Sequence, residues 1–197
     1  MRTIGRFGAL GLLVATVVGT WWLRATEATP AVSIRPNVEV VAATSEQLEM
    51  VRWAIGRFGD AGLEPPSVKI AFYTDEAWCN GHIGFAKQGR VDVCSVLVNA
   101  MSRRTLLHEM SHIWLDRHVH DATEARFLAL RDLHSWNASN DPWRFRGCEQ
   151  GAEIVSWALG ERILSAQIPD NDVEQLAEAF ELLTGQALPE SHGRLSR

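Results

Sequence analysis

The sequence has a single tyrosine and three cysteines among 197 residues, and no long run of like charges interrupts it. It also lacks internal repeats and low-complexity stretches, which excludes repeat architectures and linker-type chains. With a formal net charge of -5, it lacks the basic excess that binding to phosphates needs, so we expect no nucleic-acid partner. A hydrophobic share of 46% is normal for a globular protein and argues against disorder.

The first 28 residues differ from the rest of the chain. Arg2 and Arg6 form a basic start, and an uncharged, mostly apolar run follows from Phe7 to Leu23. The length of this run lies between that of the apolar region of a secretory signal peptide and that of a short membrane span. We expect residues 1–28 to be a signal peptide or an N-terminal membrane anchor. The remaining chain is then exported, either anchored to the membrane with the domain outside or secreted.

Residues 29–43 contain prolines and show no helical period, so they are predicted to be a linker before a folded domain at 44–197. In that domain one helix precedes a small sheet and only helices follow, an order typical of an α+β fold rather than of alternating βαβ units. The predicted elements are helix 45–58, strands 67–73 and 91–98, and helices 105–117, 121–133, 148–164 and 171–183, with a loop at 135–147.

A short motif within the first of the later helices indicates metal chemistry. His108, Glu109 and His112 form the pattern His-Glu-x-x-His inside an apolar helical repeat. Residues four apart share one face of a helix, so both imidazoles can bind one metal ion. Two histidines, a third protein ligand and a water suit Zn²⁺, which lowers the pKa of that water towards about 7. Glu109 is then placed to accept a proton from the water and to deliver it to the leaving amine.

A third ligand has to come from outside this motif, and the sequence offers three candidates. His118 follows His112 on the same run, which has no glycine to fold it back towards the metal. Cys148 is chemically a good zinc ligand, although a thiolate is uncommon beside this motif in hydrolases. Glu149 begins a predicted helix, and Glu153 lies one turn later on the same face, where a carboxylate can hold a zinc histidine through its free ring N–H.

In these two stretches, 108–112 and 149–153, the sequence resembles the gluzincin branch of the zincin metallopeptidases. In that branch the histidine motif is followed by a glutamate ligand on a separate helix, although the separation here is longer than in the compact members. The resemblance implies a minimal zincin-like α+β domain, in which a small sheet packs against the active-site helix and further C-terminal helices. It also implies that an extended peptide adds to the strand before that helix, Val91–Val98.

The same resemblance implies a set of roles for the site residues. Zn²⁺ would be bound by His108, His112 and Glu149, with Glu109 as the catalytic general base and Glu153 behind one of the histidines. The expected function is a zinc-dependent peptidase that acts on peptide or protein substrates outside the cytoplasmic membrane. The alternatives are a non-catalytic metal- or protein-binding module on the same scaffold, and a hydrolase of cell-wall amide bonds.

A side chain that stabilises the oxyanion is also expected in such a site. The sequence does not rank the candidates, which are His134, Arg144, Arg146 and the single tyrosine, Tyr73.

The cysteines fit an exported domain. Cys79 and Cys94 bracket one short segment, and Cys148 stands alone downstream. In an oxidising compartment we expect a disulfide between Cys79 and Cys94 and a free thiol at Cys148; three reduced thiols are the alternative.

Overall fold

The computed structural model describes residues 31–161 and 166–192 of the chain. These residues form a five-stranded sheet and five α-helices, which confirms the α+β class. None of the helices in these two ranges has the length and apolar character that crossing a membrane requires. The predicted signal peptide or anchor, residues 1–28, lies outside the described residues.

The strands of the sheet are β1 (Val32–Arg35), β2 (Val38–Val41), β3 (Val68–Phe72), β4 (Gly84–Lys87) and β5 (Arg90–Val93). They lie in the order β1-β2-β3-β5-β4. The central strands β2, β3 and β5 are parallel, whereas β1 and β4 are antiparallel to their neighbours and form the two edges.

The prediction of a linker at 29–43 is wrong, because strands β1 and β2 of the sheet lie within these residues. Val38 and Val40 are buried in the core, as the alternation of apolar and polar residues in β2 dictates. Pro36 lies in the turn between β1 and β2, where a proline does not interrupt a ladder. Pro36 therefore marks a hairpin rather than a linker, and the folded domain includes residues before 44.

The strand predicted at 91–98 is also shorter than expected. It pairs only over Arg90–Val93, and Val96 and Leu97 lie exposed in the connection to the next helix. A continuous apolar run has no period of its own, so its composition does not distinguish a buried strand from an exposed connection.

Side-chain caps set the beginnings of several helices. Asn99 accepts hydrogen bonds from the backbone N–H groups of Met101 and Ser102, so the helix that carries the His-Glu-x-x-His motif begins earlier than predicted. The fourth helix ends at Leu159 and is followed by Gly160 instead of continuing to residue 164. The helices are α1 (Ser45–Asp60), α2 (Ala100–His118), α3 (Asp121–Leu130), α4 (Gly147–Leu159) and α5 (Val173–Thr184).

The helix α2 packs against strands β4 and β5 on one side and against α4 on another. Leu106, Leu107 and Met110 are fully buried in the core between these elements. Gly151 on α4 permits a close approach of the two helices, because a Cβ there would lie 3.1 Å from Cδ1 of Leu115. The two helices that carry the metal-site motifs are thus held side by side.

A disulfide joins Cys79 to Cys94, the pair indicated by the sequence, and Cys148 is a buried free cysteine. Cys79 ends a short 3₁₀ helix, and Cys94 directly follows β5. The bridge therefore fixes the segment before β4 to the connection that leads into α2.

Replacing both bridged cysteines, Cys79→Ala and Cys94→Ala together, is expected to destabilise the domain. The two residues are 15 apart in sequence, and in the chain-entropy model closing such a loop contributes about 3 kcal/mol. Thermal unfolding with and without a reductant measures this effect. Reductant should lower the Tm of the wild type but not that of the double variant, and equal Tm values for the two proteins without reductant would contradict the prediction.

Candidate metal centre

Three side chains from α2 and α4 converge at one point. The Nε2 atoms of His108 and His112 lie 3.2 Å apart, and Oε2 of Glu149 lies 3.3 Å from the first and 3.1 Å from the second. All three ligand atoms lie within 4.8 Å of one another. The structure thus brings together the three residues that the sequence proposed as ligands.

The beginning of α4 is fixed by the loop that precedes it. The backbone N–H groups of Gly147 and Cys148 donate to the carbonyl oxygens of Ser135 and Trp136. Gly147 has no room for a side chain, since a Cβ there would lie 2.6 Å from Cε3 of Trp136. These contacts place Glu149, in the first turn of α4, opposite the two histidines.

Two of these three groups, His108 and Glu149, have the protonation states that suit a cation. Burial lowers the pKa of His108 to about 4, so its imidazole is neutral at pH 7. For Glu149, burial opposes ionisation, but the two histidines outweigh it and hold the pKa of the carboxyl well below its usual range. Burial likewise opposes the charge of His112, and the nearby Glu149 outweighs it and raises the pKa of that ring. A neutral imidazole and a carboxylate thus face the same point.

Glu153 supports His108 from behind. Its Oε2 lies 3.4 Å from Nδ1 of His108, the ring nitrogen that faces away from Glu149. Its Oε1 accepts hydrogen bonds from the guanidinium of Arg104 and from the backbone N–H of Gln167, the latter at 2.8 Å. The carboxylate is thereby fixed in position and fixes the ring in turn. Arg104 was not among the residues predicted for the site, although it lies one helical turn before His108 on the same face.

Replacing Glu153 with glutamine is expected to weaken metal binding by about 10–100-fold, because a neutral amide polarises the His108 ring less than a carboxylate does. Glutamine keeps the size of the side chain, so the packing between α2 and α4 should be preserved. Competition with a chromophoric chelator measures the affinity. Glu178→Gln, on the exposed face of α5, is the matched control and should leave it unchanged; equal affinities of the two variants would contradict the assigned role.

Glu109 is buried beside the histidines and beneath the edge strand β4. Burial raises the pKa of its carboxyl to about 7, and the nearby Glu149 adds to this shift while His112 opposes it. Gly84 of β4 lies directly against it, since a Cβ at Gly84 would lie 2.8 Å from Oε1 of Glu109 and 2.4 Å from Cγ2 of Thr105. No sequence pattern indicates this contact, because it joins a strand to a helix through backbone proximity alone.

The site lies in a cleft of about 810 Å³. Strand β4 forms one wall, and the loop 135–147 contributes to the other. Trp143 of this loop stacks on His108, with a ring-centroid distance of 5.9 Å. The predicted long loop thus returns over the candidate ligands, and together with α3 it accounts for the separation in sequence between His112 and Glu149.

The other two candidate ligands do not join the group. His118 continues the unbroken helix α2, where its Nδ1 lies 2.8 Å from the carbonyl oxygen of Trp114 and its ring stacks on that indole. Cys148 lines the cleft but is not part of the group of ligand atoms. Burial raises the pKa of its thiol to about 12, so the sulfur keeps its proton.

Of the four oxyanion candidates, Arg146 is the one that lines the cleft. Its Nε and Nη2 donate to the carbonyl oxygens of Asp141 and Ser139, which holds the guanidinium in place. Tyr73 instead has its hydroxyl paired with the guanidinium of Arg90. His134 and Arg144 are not among the residues that line the cleft.

The prediction that the strand at 91–98 accepts an extended peptide is wrong. Strand β5 pairs with β3 on one side and with β4 on the other, so it has no free edge. Among the described residues, the free sheet edge next to the site belongs to β4, of which Gly84, Phe85 and Ala86 line the cleft. Because β4 and β5 form a hairpin, β4 lies between the predicted strand and the cleft.

The donor set fits a catalytic zinc ion. Two imidazole nitrogens and one carboxylate oxygen are a ligand set found in zinc hydrolases, and atoms about 2.0–2.2 Å from a tetrahedral zinc lie roughly 3.3–3.6 Å apart. The separations of 3.1–3.3 Å observed here are close to that range. No protein-family model, curated protein or solved structure matches this chain.

Proposed function

We propose that this protein is a zinc-dependent peptidase of the gluzincin type that hydrolyses peptide bonds outside the cytoplasmic membrane. The observation that carries the proposal is the convergence of His108, His112 and Glu149 in a cleft, with Glu109 buried beside them. A bound zinc ion would supply Lewis-acid activation of a water and of the scissile carbonyl.

Glu109 performs the proton transfers. It accepts a proton from the attacking water and then delivers it to the nitrogen of the leaving amine. A carboxyl with a pKa raised towards neutrality suits both steps, because it gives up its proton more readily than water and accepts one more readily than an exposed glutamate. Gly84 and Thr105 pack against this side chain and limit the directions in which it can move.

The exposed edge of β4 is the proposed binding site for the peptide backbone. Unpaired N–H and C=O groups at a sheet edge accept an extended chain as an additional strand. Because Gly84 of this strand contacts Glu109, a peptide added along β4 passes close to the general base. Arg146, which lines the same cleft, is the proposed donor to the oxyanion.

A different metal, Fe²⁺, is compatible with the same ligands, since two histidines and a carboxylate also bind Fe²⁺ in oxygenases. The position of Glu109 favours hydrolysis, because oxygen activation needs no general base at that place. The same residue argues against a binding module without activity, since metal binding alone does not require it.

Metal analysis combined with substrate assays tests the proposal. The purified full-length protein should contain about one zinc per chain and should cleave quenched-fluorescence peptides. Chelation should abolish cleavage, and added Zn²⁺ should restore it. Cleavage of cell-wall fragments without cleavage of peptides would replace the peptidase by an amidase, and zinc binding without any cleavage would leave a binding module.

A further inference from the structure

Five large apolar side chains are exposed on two segments next to the mouth of the cleft. These residues, here named the apolar rim, are Trp78, Ile83, Val96, Leu97 and Met101, with exposed fractions of 66%, 42%, 64%, 68% and 49%. Ile83 and Met101 also line the cleft. Exposed apolar side chains that cluster in this way mark surfaces that contact a protein or a membrane.

The two segments of the apolar rim are held together. The disulfide between Cys79 and Cys94 joins them, and the backbone N–H of Cys94 donates to the carbonyl oxygen of Ile83 at 2.9 Å. The apolar rim is therefore one surface of fixed shape, formed by the segments that follow strands β3 and β5.

The charges near the apolar rim favour an uncharged partner. Residues 93–102 contain no charged side chain, and Arg103 and Arg104, which follow, form ion pairs with Glu161 and Glu153. On the other segment the charged groups beside Trp78 are acidic, Asp75 and Glu76. A partner held by this surface is thus bound through apolar contact and not through attraction to anionic groups.

The chain enters the domain at the same end of the sheet. Strand β1 is antiparallel to β2, with Val32 opposite Val40, and β2 and β3 are parallel. Strand β1 therefore begins where β3 and β5 end, which is where both segments of the apolar rim begin. Val32 is itself exposed at this end.

The length of the preceding chain limits how far this end can lie from a membrane. The apolar run predicted to be a signal or anchor ends at Leu23, and the described structure begins at residue 31. Residues 24–30 span at most about 25 Å even when fully extended, which is less than the roughly 30–40 Å width of a domain of this size. An uncleaved anchor therefore keeps this end of the sheet, and not the opposite end, next to the bilayer.

We propose that the apolar rim inserts into the headgroup region of the bilayer that holds the N-terminal anchor, so that the mouth of the cleft lies at the lipid surface. The proposal rests on the retained anchor and on the exposed surface, and it holds whether or not the cleft is a peptidase site. Because the apolar rim carries no basic excess, it should bind zwitterionic lipid as well as anionic lipid.

Depth-dependent fluorescence quenching tests this arrangement. The full-length chain with Leu97→Cys, labelled with the fluorophore NBD under non-reducing conditions, is reconstituted as one chain per nanodisc of phosphatidylcholine. Cys148, which lines the cleft, is replaced by alanine in both labelled proteins, so that the new thiol is the one that reacts. Ser67→Cys is the matched control, because Ser67 is exposed just before β3, at the opposite end of the sheet.

Lipids carrying a nitroxide should quench the probe at position 97 by about twofold or more and leave the probe at 67 almost unchanged, as expected for a group about 5–10 Å inside the interface. Trp78→Ser with Val96→Ser should reduce the quenching at position 97, and since both side chains are exposed the fold should be retained, as circular dichroism can verify. Equal quenching at the two positions would overturn the proposal. The experiment is repeated with two chains per nanodisc. If the probe at position 97 is protected from water only in these two-chain nanodiscs, the apolar rim contacts a second copy of the chain and the proposal is overturned.

Discussion

Replacing Glu109 with glutamine is expected to lower kcat by at least about 10²-fold while the protein keeps its fold and its metal, because the amide cannot accept the proton of the attacking water. Glutamine has nearly the same shape as glutamate, so the contacts with Gly84 and Thr105 are retained. The measurement combines the steady-state kinetics of peptide cleavage with the metal content of the same preparation.

Asp116→Asn is the matched control for this variant. Asp116 lies on the same helix and also lines the cleft, so its replacement removes a carboxyl group from the cleft without touching the proposed base. We expect it to change kcat by much less than the Glu109 variant. If the two variants lose activity equally, the charge of the cleft matters and not a proton acceptor at Glu109; if Glu109→Gln is fully active, the peptidase mechanism fails.

Replacing Glu149 with alanine is expected to remove most of the bound metal. It takes away one of three protein ligands, so the loss of affinity should exceed the roughly 10–100-fold effect of removing a group that only supports a ligand. Chelator competition gives the affinity. Metal in large excess over its Kd stabilises the wild type by about a few kcal/mol and so raises its Tm. This difference in Tm between metal-loaded and metal-free protein should disappear in the variant.

Two further variants separate Glu149 from the other candidate ligands. His118→Ala should retain the metal, since the His118 ring stacks on Trp114 and its Nδ1 lies at a backbone carbonyl oxygen. Cys148→Ala should also retain it, because the protonated thiol is not among the ligand atoms that converge. A metal-free protein in either variant, with Glu149→Ala still loaded, would overturn the ligand assignment and leave the His-Glu-x-x-His motif intact.

Helical periodicity made the centre of the site predictable from the sequence. His108 and His112 are four apart on α2, and Glu149 and Glu153 are four apart on α4, so each pair necessarily shares a face. The close approach of the two helices, which brings the pairs together, depends on the absence of a side chain at Gly151. A glycine inside a predicted helix does not by itself identify its neighbour.

The surroundings of the site were less predictable because they depend on pairing between distant segments. The position of β4 at the edge, beside Glu109, follows from the order β3-β5-β4, which no local pattern contains. In the same way, β2 joins the sheet by pairing with β3, which lies beyond the whole of α1. Local propensity instead favoured a linker at the prolines and a longer strand at the apolar run.

In the proposed metal site, the long separation in sequence between its two halves sets the order in which the ligands become available. Helix α2 alone offers two imidazoles, and the carboxylate of Glu149 arrives only after α3 and the loop 135–147 have been synthesised and α4 has docked. Tight metal capture is then coupled to the completion of the fold, and its free energy contributes to the stability of the finished domain. A chain exported in the unfolded state would therefore cross the membrane without metal and acquire it on the outer side, from whatever pool that compartment holds.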